Sequence, residues 1–549
     1  MPLKNNILGL FASSGEGGLR NHELARDVSQ RLEAFAKGGV GPVSIEREMI
    51  SEMLDSNIPD EPRDLKLYMS NIMDLVVSNS VNTSAPGFIG HMTTPVPDYI
   101  IQLSGLIVGL NQNVVKVETS KIFTPLERQV VGMMHKLVYN NSENFYARCV
   151  AEAENVLGNF CSGGTLANIS ALWVARNNLF LGDGEKPANG VEGGEASLSR
   201  SDCSGLAIVV SERGHYSVSK AADMLGIGKS NVYSVPVDET NKVDVSLVKK
   251  QIECLHKENI KVVALVGVAG TTETGHVDPL DKLADIAEFY GIHFHVDAAW
   301  GGASLLSSRY RELFKGIERA DSVTIDGHKQ MYIPIGCGVV LYKDSASVDC
   351  IKYNQRYILR SGDNDLGSRT LEGSRPGTAL LMHAVLNVFG KSGFEYLINL
   401  SGELAERFFS LIKARKSYEV VTEPELCILT YRYVPSRARE FIKQNTGEDV
   451  FRINQLVNEL NAEIQDQQKR AGQSFVSRTT LKIPRYNRQE ITVFRSVLAN
   501  PFTTEEVLEG VLDEQENIAL ECKTMMDCID AYITECKARA RQEEQVSVV

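Results

Sequence analysis

The chain has 549 residues, 43% of them hydrophobic and 23% charged, and a formal net charge of −13; this is the make-up of a folded globular protein, too long for one core and so expected to form a large domain with smaller satellites. The acidic balance argues against nucleic acid and anionic membrane as partners, which need a basic surface, and no run of about 18 apolar residues offers a bilayer span. Ten scattered cysteines without zinc spacing, and an N-terminus (MPLKNNILGLFASSGEGG) without a signal-peptide core, make the cytoplasm the expected compartment and a metal site unexpected.

Residues 1–115 mix polar helical stretches with a Pro/Gly-punctuated segment, SAPGFIGHMTTPVPDY, from Ser84 to Tyr99. Closely spaced prolines keep a chain extended, so this part reads as an arm lying across another surface. Residues 116–390 carry short apolar runs separated by helical stretches: LAIVVSE near 206, KVVALVGVAG near 261, IHFHVDAAW near 292 and CGVVLY near 337. That alternation predicts a large α/β domain around a mainly parallel sheet covered on both faces. The polar, Gly-rich stretch at 182–204 reads as an exposed loop insertion. Residues 391–549 predict a small C-terminal α/β domain with a strand at EITVFRSVL and a long terminal helix, opened by a capping box of Thr503 and Glu506.

In open α/β sheets ligands sit beyond the carboxyl ends of the strands, so the polar residues just after each apolar run are the candidates for chemistry. HVDAAWGGA (His295 to Ala303) is followed by DSVTIDGHKQ (Asp321 to Gln330). Pyridoxal 5'-phosphate needs a lysine amine to form an imine with its aldehyde and an acid that keeps its pyridine nitrogen protonated. Lys329 and Asp297 meet those needs, and the charge of Asp297 at the end of an apolar strand calls for a cationic partner. Upstream, CSGGTLANIS (Cys161 to Ser170) places glycines before a helix starting near Thr165. Its amides suit a phosphate, although a simple turn with an N-cap explains Gly-Gly-Thr better when that motif is taken alone.

Together these motifs resemble the group II pyridoxal-dependent decarboxylases, over roughly residues 70–500. The resemblance implies the type I, aspartate-aminotransferase-like fold and a homodimer with active sites at the subunit interface. It also implies pyridoxal phosphate held on Lys329, with Asp297 on the pyridine nitrogen, Ala299 packed on the ring, and His328, Gly164 and Thr165 at the phosphate. His215 in RGHYSVSKAAD matches the histidine that stacks on the ring, Thr271 in GTTETG the contact on the 3-oxygen side, and Ser374 in LEGSRPGTA the segment reaching the partner's phosphate. Arg375 reads either as part of that segment or as a surface arginine.

The implied reaction is loss of carbon dioxide from an amino acid, with a nearby acid returning a proton to Cα. Many family members use a mobile-loop tyrosine, but Leu359 to Gly373 contains none. Tyr353, Tyr357, His215 and Lys329 remain as alternatives, and Asp326-Gly327 stands where the family has Asn-Pro. In its overall look, including FIGHMTTPVP, TSKIFTPLE, IDGHKQ and TLEGSRPG, the chain resembles the bacterial aspartate 1-decarboxylases, which make β-alanine for pantothenate. Glutamate and cysteine sulfinate are the alternative substrates; an aminotransferase or carbon–sulfur lyase is the alternative reaction. An acidic substrate needs a cation, for which Arg495 in ITVFRSVL is the candidate, with His91 and Thr93 as further pocket residues.

Overall fold

The computed structural model describes residues 7, 10–11, 16–42, 56–152, 155–181, 203–353 and 365–547. The predicted loop insertion lies almost wholly outside the described residues, as do Tyr357 and positions 359–364 of the tyrosine-free stretch Leu359 to Gly373.

Seven strands form the larger sheet: β1 (Gly158–Cys161), β2 (Gly205–Ser211), β3 (Val232–Val235), β4 (Ile260–Val268), β5 (His293–Asp297), β6 (Ser322–Asp326) and β7 (Gly338–Tyr342), in the order β1-β7-β6-β5-β4-β2-β3. The five from β3 across to β6 run parallel. Their near-continuous apolar runs are explained by burial on both faces. Along β2, Leu206, Ile208 and Val210 join a cluster with Ile169 and Leu172, whereas Ala207 and Val209 join the main core.

The sheet is mainly parallel, as expected, and the CGVVLY run is where it departs from parallel pairing. As β7 it pairs antiparallel with both β6 and β1. The physical reason is connection length: 327–337 carries no helix and is too short for a crossover, so the chain returns as a hairpin. That short connection holds Lys329.

The C-terminal part contains an antiparallel sheet of β8 (Tyr418–Thr422), β9 (Ile428–Tyr433), β10 (Ser477–Ile483) and β11 (Gln489–Val497), in the order β10-β11-β9-β8. The segment around 84–97 lies against this sheet. Ile89 donates its N–H to Phe475 O (3.0 Å) and accepts from Val497 N (2.6 Å), while Asn500 donates to Ala85 O (2.8 Å). The same segment reaches the lysine loop, where the Thr94 hydroxyl donates to Lys329 O at 2.9 Å.

The terminal helix also departs from expectation. It is two helices, Glu505–Glu521 and Lys523–Ser547, and Thr504 caps the first by accepting from Val507 N. Thr503 does not cap the helix because its hydroxyl donates to Pro86 O at 2.8 Å, a tertiary contact that no local motif reveals.

Candidate active site

A cavity of about 500 Å³ opens where the carboxyl ends of β5 and β6 meet the N-terminus of helix α1 (Gly164–Leu179), with Arg495 of β11 in its wall. Of the residues singled out in the sequence, it brings together His91, Gly164, Thr165, His215, Asp297, Ala299, His328, Lys329 and Arg495.

Asp297 ends β5, is buried, and accepts from Asn168 Nδ2 (2.8 Å) and from the N–H of Ala299 (3.1 Å). Lys329 Nζ lies 3.1 Å from Asp326 Oδ2, and His328 Nε2 lies 3.6 Å from the same oxygen. His328 is oriented from behind, since its Nδ1 sits 2.8 Å from Cys337 O. His215 follows β2, and burial holds its pKa below the ordinary value although the negative charge of Asp297 opposes this. His91 stands at the mouth, exposed at its outer side; burial of its inner side, assisted by the charges of Arg495 and Lys329, lowers its pKa.

The glycines of the loop before α1 are required by space. A Cβ on Gly164 would come within 2.7 Å of Asp326 Oδ2 and 3.2 Å of the Ala299 Cβ, and one on Gly163 (φ +152°) would come within 3.1 Å of the His328 ring. Side chains here would fill the concavity in front of the helix N-terminus, where backbone amides suit an anion. Among the described residues, Asp326 Oδ1 has no hydrogen-bond partner although it is buried.

Three expected site residues fall elsewhere. Thr271 does not line the cavity, because its hydroxyl is held in its own turn by Thr274 (2.7 Å); Thr272 lines it instead. Thr93 is turned to the His91 ring, with its Oγ1 2.8 Å from Nδ1. Ser374 is exposed and accepts from Asn113 Nδ2 at 2.9 Å, so nothing within one chain brings it to the cavity. Arg375 is neither on the surface nor in the site but forms a buried ion pair with Glu127 (2.5 Å). Of the groups considered as proton donors, Lys329 and His215 line the cavity, whereas Tyr353 stacks on Trp173 with ring centroids 6.4 Å apart.

Asn168 was missed in the sequence. The signal is an amide in the mostly apolar run LANISALWV, four residues after Gly164 and therefore on the same face of α1.

The model of the pyridoxal-dependent decarboxylase conserved domain matches residues 47–434. The chain belongs to the pyridoxal-dependent decarboxylase family. It is 48% identical over 516 residues to an aspartate 1-decarboxylase of Aliivibrio fischeri, covering 94% of each chain. With the acidic amino acid decarboxylase GADL1 of Xenopus tropicalis it shares 28% over 482 residues, 86% of each. Among solved structures, mouse CSAD superposes with a TM-score of 0.78 at 25% identity, covering 91% of this chain and 99% of the other. The protein is therefore a pyridoxal-phosphate-dependent amino-acid decarboxylase with the type I fold.

The residues present fit that cofactor. A glycine cradle at a helix N-terminus, a buried carboxylate at a strand end and an amine on the facing loop converge on one cavity large enough to hold it.

Proposed function

We propose that the chain converts L-aspartate to β-alanine and carbon dioxide. When bound, pyridoxal phosphate supplies an electron sink for the charge left at Cα. Lys329 would hold the cofactor covalently, Asp297 would face its pyridine nitrogen, and Gly164, Thr165 and His328 would surround its phosphate. His215 and Ala299 would lie against the ring.

The observation that carries an acidic substrate is Arg495. It lines the cavity, is 8% exposed, and among the described residues forms no ion pair. Its Nε donates to Thr272 O (2.7 Å) and its Nη1 reaches the Ser477 hydroxyl (3.2 Å), which orients the guanidinium without neutralising it. Burial pushes its pKa down to about 10, with Glu273 opposing weakly. A buried cation without a carboxylate is costly, and a substrate's side-chain carboxylate would supply the missing partner through charge-assisted hydrogen bonds. Preference for aspartate over glutamate is supported by the 48% identity to an aspartate 1-decarboxylase; the two substrates differ by one methylene, worth about 1–3 kcal/mol in a fitted pocket.

The working unit in this reading is a homodimer with Ser374 delivered to the neighbouring site. Exposed Ile101, Leu106, Val108, Ile122 and Ile335 supply apolar surface for such an interface.

The test is release of carbon dioxide and amine from aspartate, glutamate and cysteine sulfinate by the cofactor-loaded protein, with Lys329→Ala as control. Preferential β-alanine formation, abolished in the control, is expected. Faster turnover of glutamate would overturn the substrate, and keto-acid-dependent turnover without carbon dioxide would overturn the reaction.

A further inference from the structure

Behind Asp297 lies a chain of buried polar side chains. Asn168 Nδ2 donates to Asp297 Oδ2 (2.8 Å) and to Ser217 Oγ (2.9 Å), and Asn168 Oδ1 lies 3.0 Å from His295 Nε2. His295 Nδ1 is 2.9 Å from Ser322 Oγ, which is 2.8 Å from His293 Nε2. On the other branch, Ser217 Oγ is 2.9 Å from His215 Nδ1, and Ser217 N–H donates to that same nitrogen at 3.3 Å.

The direction of each bond follows from Asp297. An ionised carboxylate only accepts, so the Asn168 amide must present its NH₂; the flipped amide would set two acceptors face to face. Asn168 Oδ1 then accepts, which places a proton on His295 Nε2 and leaves its Nδ1 to accept from the Ser322 hydroxyl. Ser322 Oγ in turn accepts from His293 Nε2–H. The second Asn168 N–H occupies a lone pair of Ser217 Oγ, whose own proton is directed to His215 Nδ1. With two donors aimed at Nδ1, neutral His215 carries its proton on Nε2.

We infer that Asn168 is a positioning residue whose single amide fixes the orientation of ionised Asp297 and, by directing the Ser217 hydroxyl proton to Nδ1, reinforces the Nε2–H tautomer of His215 that the Ser217 N–H selects. The inference rests on the proposed roles of those two residues at the cofactor ring. The groups facing them are Lys329 and Asp326, whose charges act on His215 with that of Asp297, and His295, kept neutral because burial pushes its pKa down to about 4. All members of the chain except His215 and His293 are buried, so solvent does not compete for the bonds among Asn168, Asp297, Ser217, His295 and Ser322.

The experiment uses the cofactor-loaded full chain. Asn168→Asp keeps the shape of the side chain but cannot offer two N–H donors, and Asn168→Leu removes the polarity. For both, the pH titration of the bound cofactor's absorbance is expected to shift by about one unit, and kcat to fall about ten-fold or more, with a much smaller change in KM. Ser217→Ala cuts only the His215 branch and is expected to change the ¹⁵N shifts of the His215 ring in histidine-labelled protein. If Asn168→Asp fails to fold, Ser322→Ala, which breaks the far link, should shift the absorbance titration in the same direction by less. An Asn168→Asp protein with wild-type absorbance titration and kcat, whatever its melting temperature, would show a packing role only and overturn the inference. Asp297→Asn separates the two levels: an unchanged cofactor spectrum in that variant would remove the underlying reading of Asp297. A changed spectrum there beside an unaffected Asn168→Asp would remove the inference alone.

Discussion

Two buried arginines mark two regions built on opposite principles. Arg375, 7% exposed at the edge of the larger sheet, places both terminal nitrogens on Glu127, at 2.5 and 2.6 Å. Burial works against its charge, but Glu127 more than offsets this and its pKa rises. Arg495, 8% exposed in the cavity wall, has backbone and hydroxyl acceptors but no ion-pair partner among the described residues, and its pKa falls. Equal burial with opposite pairing separates a cation that closes the structure from one left available to a ligand.

The largest effect is expected where a paired charge loses its partner. Arg375→Ala strands the Glu127 carboxylate in the interior and should cost about 3–5 kcal/mol, read as the urea midpoint of the cofactor-free protein. A loss below about 1 kcal/mol would break the comparison on its structural side.

Arg495→Met should lower kcat/KM for aspartate by about 1.5–3 kcal/mol, the worth of hydrogen bonds to a charged group, without lowering stability. The sign follows from linkage. A cation whose folded pKa (about 10) lies below its ordinary value opposes folding at every pH where it is charged, so removing it relieves a cost. Lost stability with unchanged kcat/KM would reverse the roles assigned to the two arginines.

Acid sharpens the contrast, because polar groups elsewhere in the interior are paired while neutral. Burial pushes both His135 and His295 down to about 4. His135 lies 3.0 Å from the Tyr146 hydroxyl and 3.1 Å from Tyr342 O. Between about pH 4 and 6.5 the unfolded chain binds more protons than the folded one at these two sites. Their contribution to stability is therefore intact above 6.5 and declines as pH falls through that window. From pH 7 to 5 the loss should be about 2 kcal/mol per histidine, and His135→Phe should flatten the pH dependence of the urea midpoint by one share. The smallest effect belongs to a partner supplied at the surface: Thr504→Ala, removing the cap of the helix at Glu505–Glu521, should cost up to about 1 kcal/mol in thermal unfolding.

Much of the site was legible because its chemistry is local in sequence. HVDAAWGG ends β5, DGHK follows β6, and CSGG precedes α1; residues at strand ends and helix starts are carried to one edge of a parallel sheet by the βα architecture itself. Local chemistry also misled. Thr271 and Thr272 are both hydroxyl residues after β4, and only the turn geometry assigns one to Thr274 and the other to the cavity. Thr503 and Thr504 present the same ambiguity, decided by the reach of Thr503 to Pro86.

By itself the sequence determined the α/β class and the pyridoxal-phosphate cofactor, and it marked Lys329 and Asp297 as residues that line one cavity, since apolar periodicity and motif spacing act over a few residues. The tertiary structure alone decided that β7 runs antiparallel, that Arg375 is paired and Arg495 is not, and that Asn168 joins Asp297 to His215. Those facts depend on which distant backbone or side-chain atom fills a buried donor or acceptor, and that is settled only when the elements pack.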